Sequence, residues 1–163
     1  MSKLEKKLRK RDDQGKFWWE LRSCAYYKEF ERLKIVYPDI AQTPKFTWEE
    51  SNAFLGNTAY IMPTDEKWLV GLLNSEVIWW YYLNVSSTIR GGFVRFIAQY
   101  VEQIPTYLAS PAQKAPIIKL VEKILSDPDS PDVPFLEKEI DALVYDLYGL
   151  TPEEIAIVES KYR

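Results

Sequence analysis

Between Lys67 and Leu83 the chain carries one charged side chain, Glu76, in a run otherwise built of Trp, Tyr, Leu, Ile, Val and a few small residues. Water does not tolerate that much apolar surface on one element, so the segment must be buried. Its length and its Asn74-Ser75-Glu76 interruption argue against a membrane span. Leu69, Leu72, Leu73, Glu76, Val77 and Trp80 recur at helical spacing, and Thr64 or Asp65 can cap the start. One helix over 65–83 is expected, packed on a sheet with little exposure. Asn74 and Ser75 in its middle should face solvent or a neighbouring loop.

The strands for that helix lie on its N-terminal side. Leu33 to Tyr37 is β-branched and runs into Pro38, which suits a strand leaving a sheet. Residues 43–46 lead to a second strand, with a polar turn over 48–52. Residues 53–62, closed by Pro63, read as a third strand with a bulge at Gly56-Asn57-Thr58. Upstream, 23–33 fits a helix moderately well. Trp18, Trp19, Tyr26 and Tyr27 are expected more in a core than stacked on bases. Asp39 follows Pro38 as in half of a nuclease metal site, but no acidic-x-Lys partner is present at the right spacing, so that chemistry is discounted.

The stretch 83–106 follows the helix. Ser86, Ser87 and Thr88 precede a Gly91-Gly92 break, Arg90 and Arg95 flank the break, and an apolar run with Gln99 continues to Val101. Two adjacent glycines permit positive φ or a close approach to a partner. Hydrogen-bonding side chains beside such a hinge suit a nucleic-acid contact. The same residues also fit a loop entering a buried strand with two solvated arginines, and both descriptions stay open at this point. Asn57 and Thr58 stand in the same position: base-edge readers on a bulge, or ordinary turn residues.

Beyond Pro105 the pattern turns helical. Residues 111–125 form one candidate, with Pro116 tolerated only near its start. Residues 127–134 make a Pro-Asp linker. Residues 135–148 form an amphipathic helix stopped by Gly149, and Thr151-Pro152 opens the last helix. Leu136, Ile140, Leu143, Val144 and Leu147 make one apolar stripe, able to pack locally or to recruit a partner.

Composition excludes several classes of function. The 163 residues contain no His and one Cys, Cys24, so His-dependent triads, imidazole bases, His metal sites and disulfide frameworks are ruled out. A reducing, cytoplasmic location is the default, and residues 1–17 have no signal-peptide core. The net charge of -3 hides a gradient: residues 1–34 hold 11 Lys and Arg against 6 Asp and Glu, whereas residues 120–163 hold 4 against 11. An acidic tail therefore masks a basic front.

Several segments occur in a telling order: KIVYPDIA (34–41), FLGNTAYIMP (54–63), LVGLLNSEVIWWYY (69–82), STIRGGFVRFIAQYVEQIP (87–105) and IDALVYDLYGLTPEEIAIVE (140–159). Together they resemble the TaqI-like C-terminal specificity domain of type IIG restriction–modification enzymes, over about residues 17–159. The resemblance implies an α+β (mixed α/β) fold: a strand-rich DNA target-recognition domain over 17–107, then a C-terminal helical segment over 108–163. Residues 1–16 would be a basic arm or the start of an excised domain. It implies double-stranded DNA as partner, and no catalysis in this chain. An adenine-N6 methyltransferase and an endonuclease would belong to the same polypeptide, with S-adenosylmethionine and Mg bound only there. No Asn-Pro-Pro-Tyr-like motif, glycine-rich cofactor loop or metal site is visible here. The candidate DNA contacts are Lys45, Asn57, Thr58, Ser87, Thr88, Arg90, Gly91, Gly92, Arg95 and Gln99. The competing expectations are a protein-interaction domain docking through the acidic C-terminal helices and, less favoured, a small enzyme using carboxylates or Tyr.

Overall fold

A computed structural model describes residues 3–12, 14–20 and 22–160. The fold is mixed α+β, as expected, with two small antiparallel sheets and seven helices among the described residues. One extended run serves both sheets. Its first part, β1 (Lys34–Pro38), lies between β3 (Thr47–Glu49) and β4 (Ala59–Pro63), with Ile35 opposite both Trp48 and Met62. After Asp39 the run continues as β2 (Ile40–Ala41), which pairs with β6 (Phe93–Arg95), and β6 pairs with β5 (Thr88–Ile89). Asp39 is fixed on both sides. Its N–H donates to the Thr58 carbonyl at 2.9 Å, and its carbonyl accepts the Phe96 N–H at 2.7 Å.

The apolar segment packs on these sheets but is two helices, not one: α2 (Trp68–Asn74) and α3 (Glu76–Val85). Side chains that compete with the backbone cause the break. Asn74 uses its amide to bond both the N–H (3.0 Å) and the carbonyl (2.7 Å) of Phe46 in the loop before β3. Ser75 is extended (ψ 153°) and turns its hydroxyl back to the Leu72 carbonyl. Ser75 therefore does not cap α3. Asp141 from the later helix α6 (Val133–Tyr148) does, accepting the Glu76 N–H at 2.8 Å. Nor do Thr64 and Asp65 cap α2. Thr64 accepts the Glu66 N–H in a tight turn, and the helix begins at Trp68.

Aromatic rings fill the space between α3 and the sheets. Phe96 stacks on Tyr82 (4.8 Å, 6°) and meets Phe46 edge-on, and Phe46 contacts Tyr37. Outside this core, three expectations fail together. Trp19, Tyr26 and Tyr27 are exposed and form surface clusters, with Phe17 stacked on Trp19. Phe54 leaves the third strand to pack on Tyr27 and Phe30, so no bulge forms at Gly56 and β4 begins only at Ala59. In place of a helix over 23–33 there is one 3-10 turn, Tyr27–Glu31. The cause is Lys34, fully buried at the head of β1, whose ammonium takes the Phe30 and Arg32 carbonyls. Upstream, the short helix α1 (Lys3–Leu8) leads to Arg9, which pairs with Glu5 and lies over the Trp18 ring, and to Arg11, which bonds the Glu20 carbonyl.

Past the sheets come α4 (Ala98–Val101), α5 (Pro111–Ser126), α6 (Val133–Tyr148) and α7 (Pro152–Ser160). A Ser110–Gln113 capping box starts α5, and the helix runs on through Pro116, which is not confined to the first turn. The carbonyl that loses its donor there belongs to Ala112, which is exposed to water. Gly149 ends α6 at φ 66°, and Thr151 and Glu154 box the start of α7. Of the apolar stripe, Ile140, Val144 and Leu147 are buried, and Leu136 and Leu143 pack partly against the same core. The stripe is therefore consumed in the fold and cannot recruit a partner. Gly71 permits the approach: a Cβ there would lie 2.6 Å from Ile117 and 3.3 Å from Ile140.

Two tests follow from these junctions. Gly71→Val should cost about 1–3 kcal/mol by overpacking the α2–α5–α6 contact, read as a lower urea midpoint. An unchanged midpoint would mean that α5 and α6 yield freely. The Asp141 carboxyl is pushed up to about 7, chiefly by burial, against the pull of the Glu76 N–H, with Glu76, Glu137 and Glu159 adding repulsion. A folded value above the unfolded one, about 3.9, means a stabilising contribution that is complete below about pH 4 and lost as pH rises through about 7. Asp141→Asn keeps the acceptor and removes the titration. It should match the parent in thermal melts near pH 4 and exceed it increasingly toward about pH 8. A constant difference across that range would place the titration elsewhere.

Candidate nucleic-acid interface

The hairpin β5–β6 turns through Arg90-Gly91-Gly92, and both glycines have positive φ, 87° and 77°. A three-residue connection of this kind needs left-handed backbone that a side chain resists. Gln42, just beyond β2, donates from its side-chain amide to the Gly91 carbonyl at 3.2 Å and ties the tip down.

Strand alternation then sorts the side chains. Val94 and its partner Ala41 point into the core. Phe93 and Arg95 share the opposite face of β6, and their partners Ile89 and Ile40 share it with them. All four are open to solvent: Phe93 and Ile89 at 39%, Ile40 at 46%, the Arg95 side chain at 44%. The outer face of this sheet is thus an arginine surrounded by apolar side chains. Arg95 does not hang free. Its Nη2 donates to both oxygens of Asp39, at 3.0 and 2.9 Å. Its carbonyl accepts the Tyr82 hydroxyl at 2.7 Å, and burial raises the Tyr82 pKa, with Tyr37 and Tyr100 adding to the shift, so the phenol stays a donor.

Around that face the structure gathers most of the candidates. Arg90, Gly91 and Gly92 form the tip, Thr88 lies exposed on β5, and Ser87 lies exposed just before it. The turn of Asn57 and Thr58 is exposed and abuts Asp39 through the Thr58 carbonyl. Lys45 belongs elsewhere, on the wall of a cleft of about 890 Å3 bounded by its own loop, the α2–α3 junction, α5 and α6. Gln99 stands exposed on α4, its carbonyl holding the Gln103 side chain, and no described contact ties it to the hairpin. Asp39 was weighed in the sequence only as a metal ligand, and Gln42, Ile40, Ile89 and Phe93 not at all. The alternation of Phe93 and Arg95 with buried Val94 and Phe96 was the signal for the outer face. Among the described residues, no group of three or more His, Cys, Asp and Glu could hold a metal ion, and no helix is long and apolar enough to cross a membrane.

The sequence that builds this face matches a known family. The model of TaqI-like C-terminal specificity domains matches residues 3–106, from the first helix through both sheets to the turn after α4. The chain belongs to that family. A TaqI-like specificity domain supplies DNA sequence specificity to a restriction–modification enzyme and is not itself catalytic. The matched span contains the whole hairpin face and ends before α5.

The tip glycines carry their own prediction. Gly91→Val or Gly92→Val should cost about 1–2 kcal/mol, with faster hydrogen exchange at the hairpin amides. Gly56→Ala, where an added Cβ would meet nothing within 4 Å, should be close to neutral. Equal effects at all three positions would refute the left-handed turn.

Proposed function

We propose that the chain reads a short duplex DNA sequence with the outer face and tip of the β5–β6 hairpin. It would serve as the target-recognition part of a type IIG restriction–modification enzyme acting in the cytoplasm. The major groove is wide enough to admit a two-stranded ribbon. The observation that carries the proposal is an exposed strand face whose arginine is anchored through its own backbone and through an acid beside it. Such rigidity suits a reader of base edges, since a mobile arginine contributes to phosphate affinity without selecting a sequence.

In this arrangement residues 17–107 contact DNA, and the acidic helical segment 108–163 joins the reader to the methyltransferase and nuclease portions of the same polypeptide. S-adenosylmethionine and Mg would bind in those portions. Arg90 at the tip and the basic 1–16 arm would supply phosphate contacts. The acidic tail keeps non-specific affinity of this chain low.

The test is retention of random duplexes by the chain at low salt, with sequencing of the retained pool. An enriched short motif is expected. Arg90→Ala should weaken selected and scrambled duplexes alike and lower the salt slope by about 1. Failure to retain any duplex at low salt would overturn the proposal.

A further inference from the structure

The Asp39–Arg95 pair is unusual in where its partners are fixed. An ion pair between two surface side chains ordinarily stabilises little. Here both side chains stand on backbone that is hydrogen-bonded into the sheets and core. Asp39 sits at the bend shared by both sheets, held by the Thr58 carbonyl and the Phe96 N–H. Arg95 is held through its carbonyl by the buried Tyr82 hydroxyl. The carboxylate takes a single nitrogen, Nη2, and leaves Nη1 and Nε without a described partner. Arginine so held has lost its freedom to swing but keeps a directed set of N–H donors.

Charge argues in the same direction. With the Asp39 carboxylate beside it, Arg95 has little net charge to offer a phosphate, and the carboxylate repels one. The neutral acceptors of a guanine edge, O6 and N7, carry no such penalty and match the guanidinium geometry. The surroundings fit a base edge too. Ile40, Ile89 and Phe93 lie on the same face, and the apolar group a major groove offers them is the thymine methyl.

We infer that Asp39 is a positioning residue that aims Arg95 at one guanine of the target, in a site whose neighbouring pairs present thymine methyls to Ile40, Ile89 and Phe93. The inference rests on the DNA-reading role proposed above. Without Asp39, Arg95 becomes an ordinary mobile cation and turns to phosphates. The domain then loses selectivity at one base while binding unrelated DNA more tightly.

The experiment measures binding of the full chain to its selected duplex, to duplexes changed at each position in turn, and to a scrambled duplex, over a salt series. The parent should discriminate for one guanine by about 5- to 100-fold. Asp39→Ala should lose that preference alone, gain affinity for the scrambled duplex and steepen its salt slope by about one charge. Arg95→Lys should lose the same preference, since lysine keeps the charge and lacks the fork. Adding Asp39→Ala to Arg95→Ala should change selectivity no further. Uniform weakening by Asp39→Ala across all positions, or undiminished preference at every guanine in Asp39→Ala, would overturn the inference and leave the DNA-reading role standing. If the parent binds no duplex at all, that role fails and the inference with it.

Discussion

Ile35, Tyr37 and Ala41 lie on one extended run that changes sheets at Asp39, and the placement of nearly everything else depends on that bend. Before it, β1 is central in its sheet and satisfies its backbone through β3 and β4. After it, β2 offers an edge that only β6 fills. The two backbone bonds of Asp39 bridge the sheets, one to the Thr58 turn and one to the residue following β6. Buried backbone groups must find partners, so the bend fixes the hairpin relative to the first sheet. It also brings the acid at the bend itself against an arginine from a strand more than fifty residues later.

The helical layer is joined to the sheets by polar groups placed where an apolar helix would be expected to run on. Asn74 acts as a short surrogate strand for the loop at Phe46, and Ser75 ends α2 early. Asp141 then caps α3 from another helix, in a pocket of carboxylates that includes Glu76, Glu137 and Glu159. Tyr145, buried nearby, has its hydroxyl titration pushed up first by burial and then by Asp141, Glu159 and Glu76. The junction combines close apolar packing at Gly71 with a cap that is costly to keep ionised. The helical segment therefore docks through a contact whose strength varies with pH.

The candidate interface shows how such a frame places a surface side chain. The backbone of its arginine is fixed because Tyr82, stacked on Phe96 in the core with Trp79 packed against both rings, donates its hydroxyl to the Arg95 carbonyl. Packing in the interior thereby sets the backbone from which a surface side chain projects.

Much of this was legible in the residues. The mixed α+β class, a strand over about 33–37, the second half of the strand expected over 53–62, the Gly91-Gly92 turn, α5, the stop at Gly149 and the cap at Thr151 follow from local rules of β-propensity, positive φ and capping. The ordered motifs also led to the specificity-domain family. Local rules failed where another side chain or backbone group competed for the same atoms or the same packing. Lys34 drew carbonyls away from a helix, Phe54 left its strand for Tyr27 and Phe30, and Asn74 broke α2 for the sake of Phe46. Arg95 was visible as a candidate, but its partner was not, because Asp39 and Arg95 share no periodicity or sequence spacing that could announce a contact. The sequence by itself determined which segments must be buried and where the chain must turn, since those depend on each residue's own solvation and backbone freedom. Only the tertiary structure decided which exposed side chains share a face and which charge is held by which, because those depend on register and on the bend between two sheets.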